Sequence, residues 1–389
     1  FAVGTAGLGK RTMVKRLLQQ HAKTMDTPND WVYVNNFQNQ RQPLALELPP
    51  GQAPKFQAML NQSWQTILKQ LERRFTAESY HNRIEMIRQD TGDEQQQALI
   101  ELTKEGAELD LKLISRHDEH CFVPVHLIDD KLQEMSQEDL NALSNKDRAE
   151  LASNMRYMDK KLERLGLHLG DLEDDARDRV QVLNRDIAKQ VVLPRVEQIL
   201  AKFKHVEGLE NYLKYYAEDI INNVEIVLEQ EEDDFTPALF SRVPARYQAN
   251  VIITHKPNSG APVIFEDFPT HYNLLGHVEQ LTQNGTITTD FTLIRPGSLH
   301  KANGGFLMLE AEQLLEQPYA WQGLKRALKS GHLKLSSLEH MITLTGSISI
   351  EPASIPLNIK VILLAEPEIY YEILELEPEL GSVFKICAD

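Results

Sequence analysis

A glycine-rich segment near the start of the chain constrains the fold more than any other feature. It reads Gly4-Thr5-Ala6-Gly7-Leu8-Gly9-Lys10. Glycines let several backbone N–H groups point into one hollow, and the lysine that follows reaches the outer phosphates of a nucleotide. Because the apolar Phe1-Ala2-Val3 precedes the segment and apolar residues at helical spacing follow it, the pattern predicts a strand, a phosphate loop and a helix.

The residue after the lysine departs from this motif. A phosphate loop continues with Ser or Thr, whose hydroxyl binds Mg²⁺, whereas this chain has Arg11 and brings Thr12 one position late. The sequence therefore predicts a nucleotide-binding fold without establishing a working ATPase. The predicted nucleotide-binding residues are Gly4, Thr5, Ala6, Gly7, Leu8, Gly9, Lys10, Arg11 and Thr12.

Length and composition allow a globular protein of two or three domains, with 389 residues of which 42% are hydrophobic and 25% charged. A net charge of −16 argues against an extended nucleic-acid surface, so nucleic acid is left open as a partner but is not indicated. No apolar run approaches the roughly 18 residues that cross a bilayer. Cys121 and Cys387 are isolated, so we expect a reducing, cytoplasmic compartment. The chain starts inside a predicted strand, and we interpret it as a piece of a longer protein.

The hydrophobic pattern divides the chain into three parts. Residues 1–53 and 236–389 are predicted to form one α/β domain, and residues 54–235 a mostly helical insertion between its two parts. Within the insertion, residues 155–176 alternate apolar spacings of three and four, as in a coiled coil. Residues 108–126 alternate like a small β-hairpin, and the acidic run 229–234 is predicted to be a solvated linker.

Three short apolar runs, at 251–253, 306–309 and 361–364, are typical of strands buried on both faces of a parallel sheet. Helical segments alternate with them, which predicts a doubly wound α/β sheet. The fold class is thus an α/β, P-loop nucleotide-binding parallel sheet interrupted by the long helical insertion.

A nucleotide site also needs acidic and polar residues on neighbouring strands. The strand ending at Glu310 places a carboxylate opposite the loop, and Glu310 is the predicted Mg²⁺ ligand, with ATP and Mg²⁺ as the predicted cofactors. In AAA+ enzymes, which this pattern resembles, a second carboxylate follows at once, but this chain has Ala311, and Glu312 is expected to point elsewhere if the strand continues. Glu366 stands at the sensor-like position, where an anion beside a polyphosphate is unfavourable.

Several segments resemble Lon-related proteases of the membrane-type and bacterial Lon-like branch. They are Asp30-Trp31-Val32-Tyr33-Val34-Asn35-Asn36-Phe37, residues 41–46, Gly260-Ala261-Pro262-Val263 and residues 289–305. The resemblance implies the AAA+ module of an ATP-dependent serine endopeptidase, built as a hexameric ring that captures or unfolds protein substrates. It also implies a serine–lysine peptidase domain, which lies outside this chain, so we assign no proteolytic catalytic residue here.

Departures from that family leave other hypotheses open. The membrane-type relatives carry an apolar membrane segment and arginines at the subunit boundary, whereas residues 378–385 offer only Lys385. Together with Arg11, Ala311 and Glu366, this is compatible with an alternative hypothesis, a nucleotide-independent degenerate scaffold that gates an ATP-independent peptidase. A third, a stand-alone P-loop switch or DNA-remodelling ATPase, rests on fold analogy alone.

Four further features each have two interpretations. His117-Asp118-Glu119-His120-Cys121 contains metal-ligand types but suits a solvated turn better. The apolar seam at 155–176 fits packing against a neighbouring helix better than a grip on substrates. His300-Lys301 lies either near a ring pore or subunit contact, or in a loop whose turn it stabilises. The basic residues within 325–329 either contact a neighbouring subunit or DNA, or form a solvated helix face.

Overall fold

The computed structural model describes residues 1–5, 7, 9–116, 119–128, 131–225, 243–283, 286–317, 319–335, 350–376 and 384–388. These residues form two compact units: residues 1–69 together with 189–389, and residues 70–188. No helix in the described part of the chain combines the length and the apolar character that crossing a membrane requires.

The helices, in chain order, are α1 (Lys10–Ala22), α2 (Ala53–Phe75), α3 (Glu78–Glu108), α4 (Gln137–Ala142), α5 (Asn145–Phe203), α6 (Leu209–Asn222), α7 (His271–Leu275), α8 (Ser298–Lys301), α9 (Ala311–Glu316), α10 (Ala320–Ser330) and α11 (Pro367–Leu376). The strands are β1 (Ala2–Val3), β2 (Asp30–Val34), β3 (Leu44–Leu48), β4 (Leu111–Arg116), β5 (Glu119–Ile128), β6 (Lys131–Glu134), β7 (Ala249–Ile253), β8 (Val263–Glu266), β9 (His277–Val278), β10 (Leu281–Gln283), β11 (Thr286–Thr288), β12 (Ile294–Arg295), β13 (Phe306–Glu310), β14 (His332–Leu333), β15 (Ile355–Pro356) and β16 (Lys360–Ala365).

The first unit contains a parallel sheet in the order β1-β16-β13-β8. Ala388 adds a parallel bridge to Ala2 of β1. The sheet is covered on both faces. On one face, Phe306 and Ile362 pack with Ala22 of α1. On the other, Leu307 and Leu363 lie in a larger core that includes residues of α9 and α10. Strands covered on both faces read as continuous apolar runs, which is why β13 and β16 could be predicted.

The prediction that residues 251–253 belong to the parallel sheet is wrong. They lie in β7, which joins a separate antiparallel sheet in the order β3-β2-β7, with Val251 opposite Val32 and Ile253 opposite Trp31. A short apolar run indicates that a strand is buried but not whether the neighbouring strands are parallel or antiparallel to it. The pattern therefore could not assign residues 251–253 to one of the two sheets. The fourth parallel strand is β8, whose residues are only partly buried and whose short apolar run, Val263-Ile264-Phe265, was not predicted to be a strand.

The first helix of the predicted insertion packs into the first unit along its amino-terminal part. Phe56 meets Phe203 with ring centroids 5.3 Å apart, and Trp64 stacks on Tyr247 at 4.4 Å. The compact units consequently divide the chain at 69/70 and 188/189, inside the predicted insertion of residues 54–235. The acidic run 229–234 lies outside the described residues.

The second unit has its own small core. Strands β4 and β5 pair antiparallel across the segment predicted as a hairpin, and β6 extends them to a three-stranded sheet. Leu102, Leu111, Phe122 and Met158 are buried together, with Met155 packed against them. This packing agrees with the structural interpretation of the seam at 155–176. His117 and Asp118 lie outside the described residues.

Candidate nucleotide site

Three parallel strands of the first unit end side by side at one edge of the sheet. The carboxyl edge of an open parallel sheet is where such folds bind ligands, and a cavity of about 340 Å³ lies there. The residues that line it are Thr5, Gly7, Gly9, Lys10, Arg11, Glu310, Glu312, Leu364, Ala365, Glu366 and Ile369. Among the predicted site residues, Thr12 is exposed on α1 and is not one of these lining residues. Ala6 and Leu8 lie outside the described residues.

The loop between β1 and α1 depends on two glycines in the left-handed backbone region. The φ angles are 83° at Gly7 and 72° at Gly9, values that strain any residue with a Cβ atom. Helix α1 begins at Lys10, directly after Gly9, and no side chain caps it. The first N–H groups of a helix have no partner within the helix and carry partial positive charge, so this end of α1 favours an anion.

Lys10 ties the loop to the neighbouring strand. Its Nζ donates hydrogen bonds to the carbonyl oxygen of Gly4 at 2.8 Å and to that of Ala365, the last residue of β16, at 2.7 Å. The ammonium group therefore lies between the two strand ends. An ammonium group has three donors, so a phosphate oxygen can accept a hydrogen bond from Lys10 without displacing either carbonyl.

Arg11 turns toward the opposite side of the cavity. The Cζ atom of its guanidinium lies 4.6 Å from the ring centroid of Phe265 on β8, which is cation–π geometry. Strand β8 adjoins β13, the strand that ends at Glu310. A guanidinium has five donors and no acceptor, so it cannot serve as a ligand to a metal cation as a hydroxyl does.

The acidic residues of the site are Glu310, Glu312 and Glu366, and all three line the cavity. The expectation that Glu312 points elsewhere applied only to a strand that continues past Glu310. β13 instead ends at Glu310 and α9 begins at Ala311, so the chain turns and brings Glu312 to the cavity. Glu366 directly follows β16, and its carbonyl oxygen accepts from the N–H of Tyr370 in α11.

Burial raises the pKa of Glu310, and the carboxylates of Asp267 and Glu312 act in the same direction, while the nearby charges of Lys10 and Arg11 oppose the shift. Asp267 and Phe265 were missed by sequence reasoning. Phe265 lies in β8 and Asp267 directly follows that strand, so the apolar run Val263-Ile264-Phe265 and the acidic pair Glu266-Asp267 were the available signals.

Ala311, which stands in the place of a second carboxylate, has only 1% of its surface exposed and belongs to the large core with Leu309 and Leu314. This position faces the protein interior and not the cavity. The chain therefore lacks a base at this place, and the surroundings of Ala311 would not accommodate a charged one.

Three other candidates from the sequence, His300, Lys385 and Lys325, are not among the residues that line the cavity. His300 is fully buried, and its Nδ1 accepts from the N–H of Gly297 at 3.3 Å, which agrees with a turn-stabilising role. Lys385 lies with Phe1 and Lys360 at the amino ends of β1 and β16, the opposite edge of the sheet. On α10, the Nζ atom of Lys325 lies 5.3 Å from the ring centroid of Trp321.

The residues fit the two predicted cofactors unequally. Left-handed glycines, a helix start and a lysine suit a polyphosphate. Mg²⁺ fits less well, because Arg11 stands where a hydroxyl ligand belongs and the cations Lys10 and Arg11 already act on Glu310. Among the residues that the structure describes, no cluster of three or more His, Cys, Asp or Glu side chains could hold a metal ion.

Comparison with protein families defines the class. Residues 259–389 match the family model of a LonB-like AAA domain, and residues 30–63 match that of a Lon-like LonC helical domain. These two segments thus match Lon-like family models, and the resemblance read from the sequence is confirmed for them.

At the level of individual proteins, the chain is similar to a putative Lon protease homolog of Escherichia coli (strain K12). The two are 34% identical over 120 residues, which are 31% of this chain and 19% of that protein. The aligned segment covers less than a fifth of the relative's length, so the activity, substrates and partners of a whole Lon-like protein are matters for proposal here.

Proposed function

We propose that this chain is the ATPase-like module of a Lon-related ATP-dependent protease and that the cavity at the carboxyl edge of the sheet binds a nucleotide. The observation that carries the proposal is the convergence of Gly7, Gly9 and Lys10 with the end of β16 around one cavity. The backbone of the loop cradles the phosphates, and Lys10 neutralises part of their charge. A bound nucleotide supplies the binding energy that can change the arrangement of the module.

The larger assembly belongs to the same proposal. In the parent protein, this module forms a homohexameric ring and captures or unfolds protein substrates ahead of a serine–lysine peptidase domain outside the chain. Residues 54–235 are the helical insertion of the module. The support is the family to which the AAA domain is matched.

The second candidate function is that of a module in which ATP hydrolysis is slow or absent, and specific residues favour it. In this form the module is a degenerate scaffold that gates an ATP-independent peptidase. Arg11 replaces the metal-binding hydroxyl, Ala311 is buried where a catalytic carboxylate is expected, and Glu366 brings an anion to the cavity. Because the usual catalytic carboxylate is missing at the place of Ala311, we expect bound ATP to persist.

Nucleotide titration tests the binding proposal. A fluorescent ATP analogue is added to the chain, to Lys10→Ala and to Lys15→Ala, a matched lysine exposed on the same helix. We expect saturable binding in the original chain and in Lys15→Ala, and its loss in Lys10→Ala, with thermal unfolding confirming that all three are folded. Equal affinity in Lys10→Ala, or no binding in any chain, contradicts the proposal.

Proteolysis by the parent protein separates the two candidates. Degradation of a chemically unfolded model protein is followed with and without ATP, together with phosphate release. Stimulation by ATP supports the ATP-dependent form, and degradation that ATP does not change supports the scaffold.

A further inference from the structure

The residue after the loop lysine fixes what kind of positive charge the site contains. A phosphate loop uses a Ser or Thr hydroxyl there to hold Mg²⁺, which then neutralises the phosphates. Arg11 carries a permanent charge and five donors in a planar fork that matches phosphate oxygens. The side chain that would bind the metal is thus replaced by one that brings its own cation.

Phe265 holds this cation at the site. The guanidinium of Arg11 lies over the Phe265 ring at 4.6 Å, and both Arg11 and Glu310 line the cavity. Leu309 on β13 pairs with Glu266 on β8, so Phe265 and Glu310 lie near the same end of adjacent strands. The aromatic ring limits how far the side chain can swing, which lowers the ordering cost when it contacts a phosphate.

From this arrangement we propose that Arg11, held by Phe265 in the cavity that Glu310 also lines, takes the place of Mg²⁺, so that the site binds the nucleotide polyphosphate without a divalent metal. The inference rests on the proposed nucleotide site and specifies how its charge is supplied. A divalent cation entering the same cavity meets the like charge of Arg11 and lacks the usual hydroxyl ligand.

The test measures the affinity for a fluorescent ATP analogue in buffer with Mg²⁺ and in buffer with EDTA. The chains compared are the original, Arg11→Thr, Arg11→Lys, Phe265→Leu and, as the matched control, Arg16→Thr, which removes one exposed arginine from the same helix. Thermal unfolding of every variant is recorded in both buffers, so that loss of binding is separated from loss of structure.

We expect the original chain and Arg16→Thr to bind with the same affinity in both buffers, within about twofold. Arg11→Thr restores a hydroxyl, so its affinity falls about tenfold or more in EDTA and recovers with Mg²⁺. Arg11→Lys keeps the charge but loses the fork, and Phe265→Leu loses the anchor, so both bind more weakly than the original chain in EDTA.

Two results overturn the inference and leave the nucleotide site standing: an original chain that binds about tenfold more tightly with Mg²⁺, or an Arg11→Thr variant that binds as well as the original in EDTA. Absence of binding by the original chain in both buffers instead removes the proposed function, and this inference with it.

Discussion

Lys10 is hydrogen-bonded to Ala365, with 2.7 Å between the lysine Nζ and the carbonyl oxygen of the last residue of β16. The bond joins the loop after β1 to a strand end that is 355 positions away in sequence. Because β1 and β16 are adjacent parallel strands, the loop lysine reaches this carbonyl without leaving the cavity. The lysine proposed to bind phosphate therefore also links the loop after β1 to the end of β16.

Removing the carboxylate of Glu366 should strengthen nucleotide binding. Glu366 lines the cavity that also contains Lys10, and an anion there repels a polyphosphate. We expect Glu366→Gln to lower the Kd for an ATP analogue about fivefold, which corresponds to roughly 1 kcal/mol. The control is Glu368→Gln, which removes an exposed carboxylate two residues further on and should leave the Kd unchanged. Equal affinity in Glu366→Gln and the original chain would show that this carboxylate does not act on the ligand.

Ala311→Glu should destabilise the protein without creating hydrolysis. Ala311 is 1% exposed within the core around Leu309 and Leu314, so a carboxylate there is buried without a partner. We expect a loss of about 3 kcal/mol or more in the free energy of unfolding, measured with urea. Gln313→Glu adds the same charge at an exposed position of α9 and should change the stability little. ATP hydrolysis gained by a stably folded Ala311→Glu chain would contradict the view that this position faces the interior.

Asp30 should contribute strongly to stability, because it connects three segments of the first unit. Its carboxylate is fully buried and accepts from the backbone N–H groups of Ala53 at 3.0 Å and His255 at 2.8 Å, and from the Thr254 hydroxyl at 3.1 Å. Asp30→Ala leaves these donors unpaired, at a cost of about 3 kcal/mol or more.

Asp26→Ala is the matched control for this change, since it removes an exposed aspartate four residues earlier. Both are compared by urea unfolding with the original chain. If Asp30→Ala unfolds at the same urea concentration as Asp26→Ala, the hydrogen bonds to Asp30 do not stabilise the fold.

His300 should make the stability depend on pH. Burial lowers its pKa from 6.5 to about 4 in the folded protein, so the neutral ring is favoured there. The stabilisation is complete above pH 6.5 and is lost as the pH falls toward 4, because the unfolded chain takes up the proton first; the shift corresponds to about 3 kcal/mol.

The measurement for His300 is urea unfolding at a series of pH values between 7 and 4. His300→Gln removes the titrating group, so the free energy of unfolding should fall less steeply with acid than in the original chain. His205→Gln removes an exposed histidine and should retain the original slope. Parallel slopes for His300→Gln and the original chain would mean that His300 does not carry this linkage.

Elements whose buried residues follow a regular pattern along the chain were predictable from the sequence. Continuous apolar runs indicated the strands β13 and β16. Helical spacing of apolar residues indicated α2, the helix in which Phe56 is buried. The pairing of strands was not predictable, because the apolar run at Val251 is compatible with both parallel and antiparallel neighbouring strands. The partly buried strand β8, which supplies Phe265 to the site, was missed although it contains the short apolar run Val263-Ile264-Phe265.

At the site, the sequence identified the loop and Glu310, while the orientation of side chains required the structure. Glu312 faces the cavity because β13 ends at Glu310 and α9 begins directly after it, at Ala311. A sequence pattern locates the end of a strand only to within a few residues, so this turn could not be predicted. The hydrogen bond from Lys10 to Ala365 likewise depends on the order of strands, which no local pattern specifies.

A structure of the chain with a non-hydrolysable ATP analogue tests the central claim most directly. Two distances from Lys10 Nζ are to be measured: one to the nearest phosphate oxygen and one to the carbonyl oxygen of Ala365. The second distance is 2.7 Å in the present structure. We predict that Nζ lies within hydrogen-bonding distance of a phosphate oxygen, with the nucleotide between the loop and Glu366. A nucleotide bound elsewhere, or none bound while Lys10 keeps its bond to Ala365, would contradict the account.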